Sequence, residues 1–210
     1  MMTLDDALDV CGIVAILRGV TPGEVVTMAQ ALYDSGVRVV EVPLNSPEPF
    51  KSIEILAKTF RGRMVVGAGT VLSVPDVNML KASGGEISVS PDCNEAVIRR
   101  AVELGLSPFP GVFTPTEAFS AIRAGARHLK LFPAEAASPA VIKAWMAVLP
   151  KSVKIYAVGG VTPDNMGDWL TAGASGFGIG SSLYKPGMAV ESVKEAAGKL
   201  VSAWMVAKGK

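Results

Sequence analysis

The chain has little of what holds metals or staples small folds. Its 210 residues include two cysteines, Cys11 and Cys93, and one histidine, His128. Two thiols so far apart make no disulfide framework, and a single histidine excludes a histidine-rich metal site. Charge is scarce and balanced, 20 Lys+Arg against 19 Asp+Glu for a net charge of +1. Neither a nucleic acid nor a membrane surface finds an electrostatic footprint in such a chain. Long apolar runs are also missing. The longest charge-free stretch, Trp169 to Tyr184, is interrupted by four glycines and falls short of the roughly 20 residues that span a bilayer. The opening MMTLDDALDV is acidic where a secretion signal is basic and then apolar, so a reducing, cytoplasmic setting is expected.

What the chain does have is apolar content, half of all residues, and it is distributed in a regular way. Short runs rich in β-branched residues occur at 13–19, 37–44, 64–70, 86–91, 106–112, 128–134, 154–161 and 176–183. Each is followed by a segment with apolar residues at three-to-four spacing, so a β-strand and an α-helix alternate eight times. Thr21-Pro22, Thr114-Pro115 and Thr162-Pro163 each offer an N-cap hydroxyl followed by proline, and Glu24 and Glu117 add the carboxylate of a capping box. Gly36, Gly105, Gly125 and Gly173 stand where a helix ends in a left-handed residue. Eight equal units without linkers predict a single-domain (β/α)8 barrel over residues 1–210. Residues 1–12 form a short leading helix and 189–208 a closing one. Trp145, Trp169 and Trp204 are expected to pack on helix faces or at subunit contacts.

A charge in the middle of a barrel strand has no inexpensive place to sit. Three stand out: Glu41 between valines, Lys130 between leucines, and Arg18 at the end of the first strand. All lie near strand C-terminal ends, the face on which barrel enzymes carry their chemistry. Burial lowers a lysine's pKa from about 10.4 toward the roughly 7–8 of a nucleophilic amine. Such an amine attacks a ketone, and the Schiff base then accepts the electrons of a broken carbon–carbon bond. The competing reading is a structural Lys130–Glu41 ion pair. Arg18, a planar donor fork, suits a carboxylate, and Thr70 can add a hydroxyl to the same group; the competing roles are pairing with a loop acid for Arg18 and a helix cap for Thr70. After the last two strands, Gly159-Gly160 and Gly178-Ile179-Gly180-Ser181 match the place where barrels bind phosphate on backbone N–H groups. His128 is expected low in the barrel and outside the chemistry.

AILRG at 15–19, VEVPLNSP at 40–47, GAGTV at 67–71, LKLFPAE at 129–135 and AVGGVTPDN at 157–165 together resemble the 2-dehydro-3-deoxy-6-phosphogalactonate aldolases, a branch of the KDPG/KHG aldolases. The resemblance covers nearly the whole chain. It implies a homotrimeric (β/α)8 barrel, a class I aldolase without metal or other cofactor. The implied reaction cleaves the phosphorylated keto sugar acid to pyruvate and glyceraldehyde 3-phosphate. Carried over by position, the Schiff-base lysine is Lys130 and the acid/base glutamate Glu41, with substrate contacts at Arg18, Thr70, Gly159, Gly160 and Ser181. The gluconate enzymes usually have arginine at the position of Asn45 and threonine at that of Val158, which favours the galactonate epimer. Two alternatives stay open on the residues alone: an aldolase for the gluconate epimer, and a phosphate-binding barrel isomerase or epimerase that forms no covalent adduct.

Overall fold

In the computed structural model, which describes residues 2–209, the strands form one parallel sheet that closes on itself. They are β1 (Ile13–Ile16), β2 (Val39–Pro43), β3 (Val65–Gly69), β4 (Ile87–Val89), β5 (Ser107–Phe109), β6 (Gly111–Val112), β7 (His128–Leu131), β8 (Lys154–Val158) and β9 (Gly176–Ile179). Their order is β5-β4-β3-β2-β1-β9-β8-β7-β6. The two outer members, β5 and β6, are consecutive pieces of one strand split at Pro110, which has no N–H to give to a ladder. Its carbonyl still accepts from Lys130 N at 2.9 Å. The first piece pairs with β4 and the second with β7, so the eightfold barrel read from the sequence is present with its fifth strand in two parts.

The helices are α1 (Leu4–Val10), α2 (Val25–Asp34), α3 (Pro49–Thr59), α4 (Val74–Ala82), α5 (Glu95–Glu103), α6 (Pro115–Arg123), α7 (Pro139–Met146), α8 (Met166–Thr171) and α9 (Val190–Ala207). Only one of the three predicted threonine caps forms. Thr114 and Glu117 make the full capping box on α6. Thr21 contributes its backbone carbonyl, to Glu24 N and Val25 N, while the Glu24 carboxylate is taken by the Tyr184 hydroxyl. At Thr162 the direction reverses: its N–H donates to Asn165 Oδ1 at 2.9 Å. The predicted helix-ending glycines hold. Gly36, Gly105, Gly125 and Gly173 all have positive φ, and the residue after each bonds back five positions, as Val37 N does to Leu32 O at 3.0 Å.

Two apolar layers result. The larger lies between strands and helices and includes Ile13, Val40, Leu129 and Phe177 from the sheet, with Leu32, Ile53, Trp145, Trp169 and Trp204 from the helices. All three tryptophans are buried there, as packing residues. The smaller fills the lower lumen with Val14, Val39, Val65, Ile87, Val89, Phe109 and Tyr156, and α1 plugs its open end with Ala7 and Leu8. His128 belongs to this floor. It is buried, stacked 4.6 Å from the Phe109 ring, and its Nδ1 lies 3.3 Å from the Tyr156 hydroxyl. Burial pushes its pKa down to about 4, helped by Lys154, so it stays neutral.

The closing helix α9 packs with no room to spare. A Cβ on Gly12 would fall inside the Trp204 indole, whereas one on Gly198, on the same helix, meets nothing within 4 Å. Gly12→Ala is therefore expected to cost about 1–3 kcal/mol by overpacking, and Gly198→Ala to stabilise by roughly 0.5–1 kcal/mol through helix propensity. Urea unfolding midpoints of the two variants, moving in opposite directions, are the check.

Candidate active site

The two mid-strand charges do reach the lumen. Glu41 is the third residue of β2 and Lys130 the third of β7. Strand alternation points them the same way as Val39 and His128 below them. Glu41 is 2% exposed and Lys130 8%. Both line a cavity of about 10 Å³ with Val14, Ile16, Val89, Phe109, Tyr156, Val158 and Gly178, roughly the room of one water. They do not form the ion pair weighed from the sequence, because no N···O distance between them comes within 4.0 Å. Glu41 Oε2 is buried and has no hydrogen-bond partner within the protein, so this acceptor is available to a substrate or a bridging water.

Burial sets the protonation of both groups. Loss of solvation raises the Glu41 carboxyl to about 7, against the smaller opposing pull of Lys130 and Arg18. The same loss lowers the Lys130 ammonium below the usual lysine range; Glu41 pulls it back up and Arg18 adds to the lowering. The Lys130 Nζ also lies 4.3 Å from the centre of the Phe132 ring. Gly69 makes the arrangement possible, since a side chain there would occupy the space of the Glu41 carboxylate. In GAGT the sequence marks only the threonine, because the requirement for glycine at 69 depends on a contact across strands.

Above this floor opens a cleft of about 340 Å³, lined by Arg18, Phe132, Glu135, Val158, Gly159, Gly160, Ser181, Lys185 and others. Ile16, Val158 and Gly178 border both spaces, so the lysine lies one side-chain layer below the cleft. Arg18 is exposed and donates through Nη1 to Asn45 Oδ1 at 2.6 Å and to Thr70 Oγ1 at 3.4 Å. It pairs with no loop acid, and the cap of α4 is Ser73 rather than Thr70. Thr70 instead holds φ at 56°, a left-handed conformation costly for a β-branched residue that persists where its surroundings demand it.

Gly159 and Gly160 both have positive φ and lie beside Glu135. After β9, Leu183 N and Tyr184 N bond to Gly180 O at 2.8 and 3.0 Å. That makes Gly180 the start of a helical turn, so the N–H groups of Ser181 and Ser182 at the cleft wall are the orphan donors of its first residues. All nine residues singled out from the sequence, including Asn45 and Val158, thus converge on one end of the barrel. Phe132, Glu135 and Lys185 join them without having been foreseen. FPAE at 132–135 was the one available signal for the first two. Among the described residues there is no cluster of three or more His, Cys, Asp or Glu that could hold a metal ion, and no helix is long and apolar enough to cross a membrane.

Comparison with known proteins points the same way as this geometry. The 2-dehydro-3-deoxy-6-phosphogalactonate aldolase of Escherichia coli K12 is 44% identical over 192 residues, 91% of this chain and 94% of that protein. A probable 2-dehydro-3-deoxy-6-phosphogalactonate aldolase of Rhizobium meliloti is 48% identical over 185 residues, 88% of this chain and 87% of the relative. A solved structure described as native KDPGal superposes with a TM-score of 0.92 at 43% identity, covering 94% of this chain and 96% of its own. The family model for KDPG and KHG aldolases matches residues 4–197, and with the buried lysine–carboxylate lumen in place the chain belongs to that aldolase family.

Proposed function

We propose that the protein is a class I aldolase that reversibly cleaves 2-dehydro-3-deoxy-6-phospho-D-galactonate to pyruvate and D-glyceraldehyde 3-phosphate, acting as a homotrimer in the cytoplasm. The observation that carries this is Lys130, an amine buried in an apolar lumen beside a carboxyl whose pKa lies at about 7. A group poised there both gives and takes protons at neutral pH. Large apolar side chains left exposed on the single chain, among them Leu72, Met79 and Phe113, support association.

The chemistry follows from the pair. Neutral Lys130 Nζ attacks the C2 ketone, and protonated Glu41 supplies the proton with which the carbinolamine hydroxyl leaves as water. The iminium that remains is an electron sink. As a carboxylate, Glu41 then takes the C4 hydroxyl proton through a bridging water while the C3–C4 bond breaks. The bonding pair moves into the iminium as an enamine, and glyceraldehyde 3-phosphate departs. Protonation at C3 and hydrolysis by one water return Lys130 and release pyruvate. Arg18 and the Thr70 hydroxyl hold the carboxylate, and the backbone N–H groups at Gly159, Gly160 and Ser181 hold the phosphate.

The two specificity positions support the galactonate epimer on physical grounds. Asn45 accepts from Arg18 at 2.6 Å, where an arginine would place a second cation beside the first. Val158 turns methyl groups toward the boundary between lumen and cleft, where a threonine would offer a hydroxyl to the substrate. The 44–48% identity to galactonate enzymes agrees.

Borohydride reduction in the presence of pyruvate is expected to leave one pyruvyl group on Lys130, located by peptide mapping, and none on the Lys130→Met variant. Enolisation with no adduct would favour the isomerase reading instead. For Glu41→Gln, turnover should fall by about 10²–10⁴-fold, and the fall of kcat/KM above about pH 7, as the proton-donating carboxyl ionises, should disappear; its persistence would remove Glu41 as the titrating group. The same variant should be more stable than the parent at pH 8. Because the folded-state pKa of Glu41 lies above its ordinary value of 4.5, its burial is least costly below pH 4.5. The parent loses stability as pH rises from there to about 7, by on the order of 3 kcal/mol. Thermal melts of both proteins at pH 4.5 and pH 8 test this, with the gain expected only at the higher pH.

A further inference from the structure

The wall of the cleft that carries Ser181 and Ser182 is the exposed segment 180–189, of which only Leu183 and Tyr184 are buried. Three contacts hold it in place. Tyr184, 2% exposed, donates its hydroxyl to Glu24 Oε1, 160 residues away in sequence. Pro186 covers Gly19 so closely that a Cβ on Gly19 would lie 2.7 Å from the proline Cγ. Lys185 N donates to Met188 Sδ at 3.2 Å, closing the segment on itself. Glu24 is anchored in turn, since its N–H bonds to Thr21 O at 3.2 Å at the start of α2. The segment bearing the serines is therefore fastened to the 18–24 segment, which bears Arg18.

Resting on the phosphorylated substrate proposed above, we infer that Tyr184 and Glu24 are positioning residues that hold the Ser181–Ser182 turn where it receives the phosphate ester of a substrate whose carboxylate is held at Arg18, and so set the preference for phosphorylated over unphosphorylated sugar acids. Neither side chain needs to touch the substrate. The hydroxyl–carboxylate bond is charge-assisted and shielded by the buried Tyr184 ring, conditions under which such a bond is strong. Its loss frees an exposed segment with few other anchors and leaves the lumen chemistry at Lys130 and Glu41 untouched.

The test compares Tyr184→Phe, Glu24→Ala, Glu24→Gln and the Tyr184→Phe/Glu24→Ala double variant by calorimetric binding of inorganic phosphate and by kinetics on the phosphorylated acid and its unphosphorylated counterpart. For Tyr184→Phe and Glu24→Ala we expect about tenfold weaker phosphate binding and about tenfold higher KM for the phosphorylated acid, with kcat and the unphosphorylated reaction within about twofold. Glu24→Gln keeps an accepting oxygen without its charge and should fall between the parent and Glu24→Ala, and the double variant should be no worse than either single one. Unchanged phosphate affinity in Tyr184→Phe, or equal losses on both substrates, would overturn the inference. Weakened phosphate binding in a protein whose parent form cleaves neither acid would uphold the pair and overturn the substrate assignment instead.

Discussion

Everything at this site depends on the cost of keeping an ammonium and a carboxylate out of water. In bulk solution neither Lys130 nor Glu41 would be ready at neutral pH for the step proposed for it, since one would hold its proton and the other would have lost it. The barrel works against both tendencies by the same means: desolvation is the largest influence on each, raising the Glu41 carboxyl and lowering the Lys130 ammonium. A direct ion pair would undo this by stabilising both charges. The two groups line one cavity with the room of about one water without coming within 4.0 Å of one another, so no direct ion pair cancels the effect of burial.

The rest of the lumen maintains that condition. Below the pair, Val14, Val39, Val65, Ile87, Val89, Phe109 and Tyr156 fill the barrel and α1 packs beneath them, which keeps the floor under the lysine apolar. The polar groups of this floor are quiet: His128 is held neutral by burial and is occupied with Tyr156 and Phe109. In the proposed reaction recognition lies above, on loops, at Arg18, Asn45, Thr70 and the glycine turns. A rigid apolar floor for bond-breaking and a polar rim for selection is a division that strand alternation makes natural, because each strand sends alternate residues inward and its end opens into a loop.

The amino-acid sequence by itself determined the alternation of strands and helices, the left-handed glycines that end the helices, and the identity of the inward charges. These are local properties. Hydrophobic period, backbone freedom at glycine and the isolation of Glu41 among valines or Lys130 among leucines are all legible over fewer than ten residues. What tertiary structure decided are the relations between distant segments. The fifth strand divides at Pro110 to serve two neighbours. The capping box predicted at Thr21 lacks its carboxylate because Glu24 is engaged by Tyr184, and Gly69 is required because the Glu41 carboxylate lies across it from the neighbouring strand. A linear pattern shows which side chains are costly to bury. Only the closed barrel settles which of them face each other and at what separation, because that spacing is fixed by contacts between residues tens of positions apart in the chain.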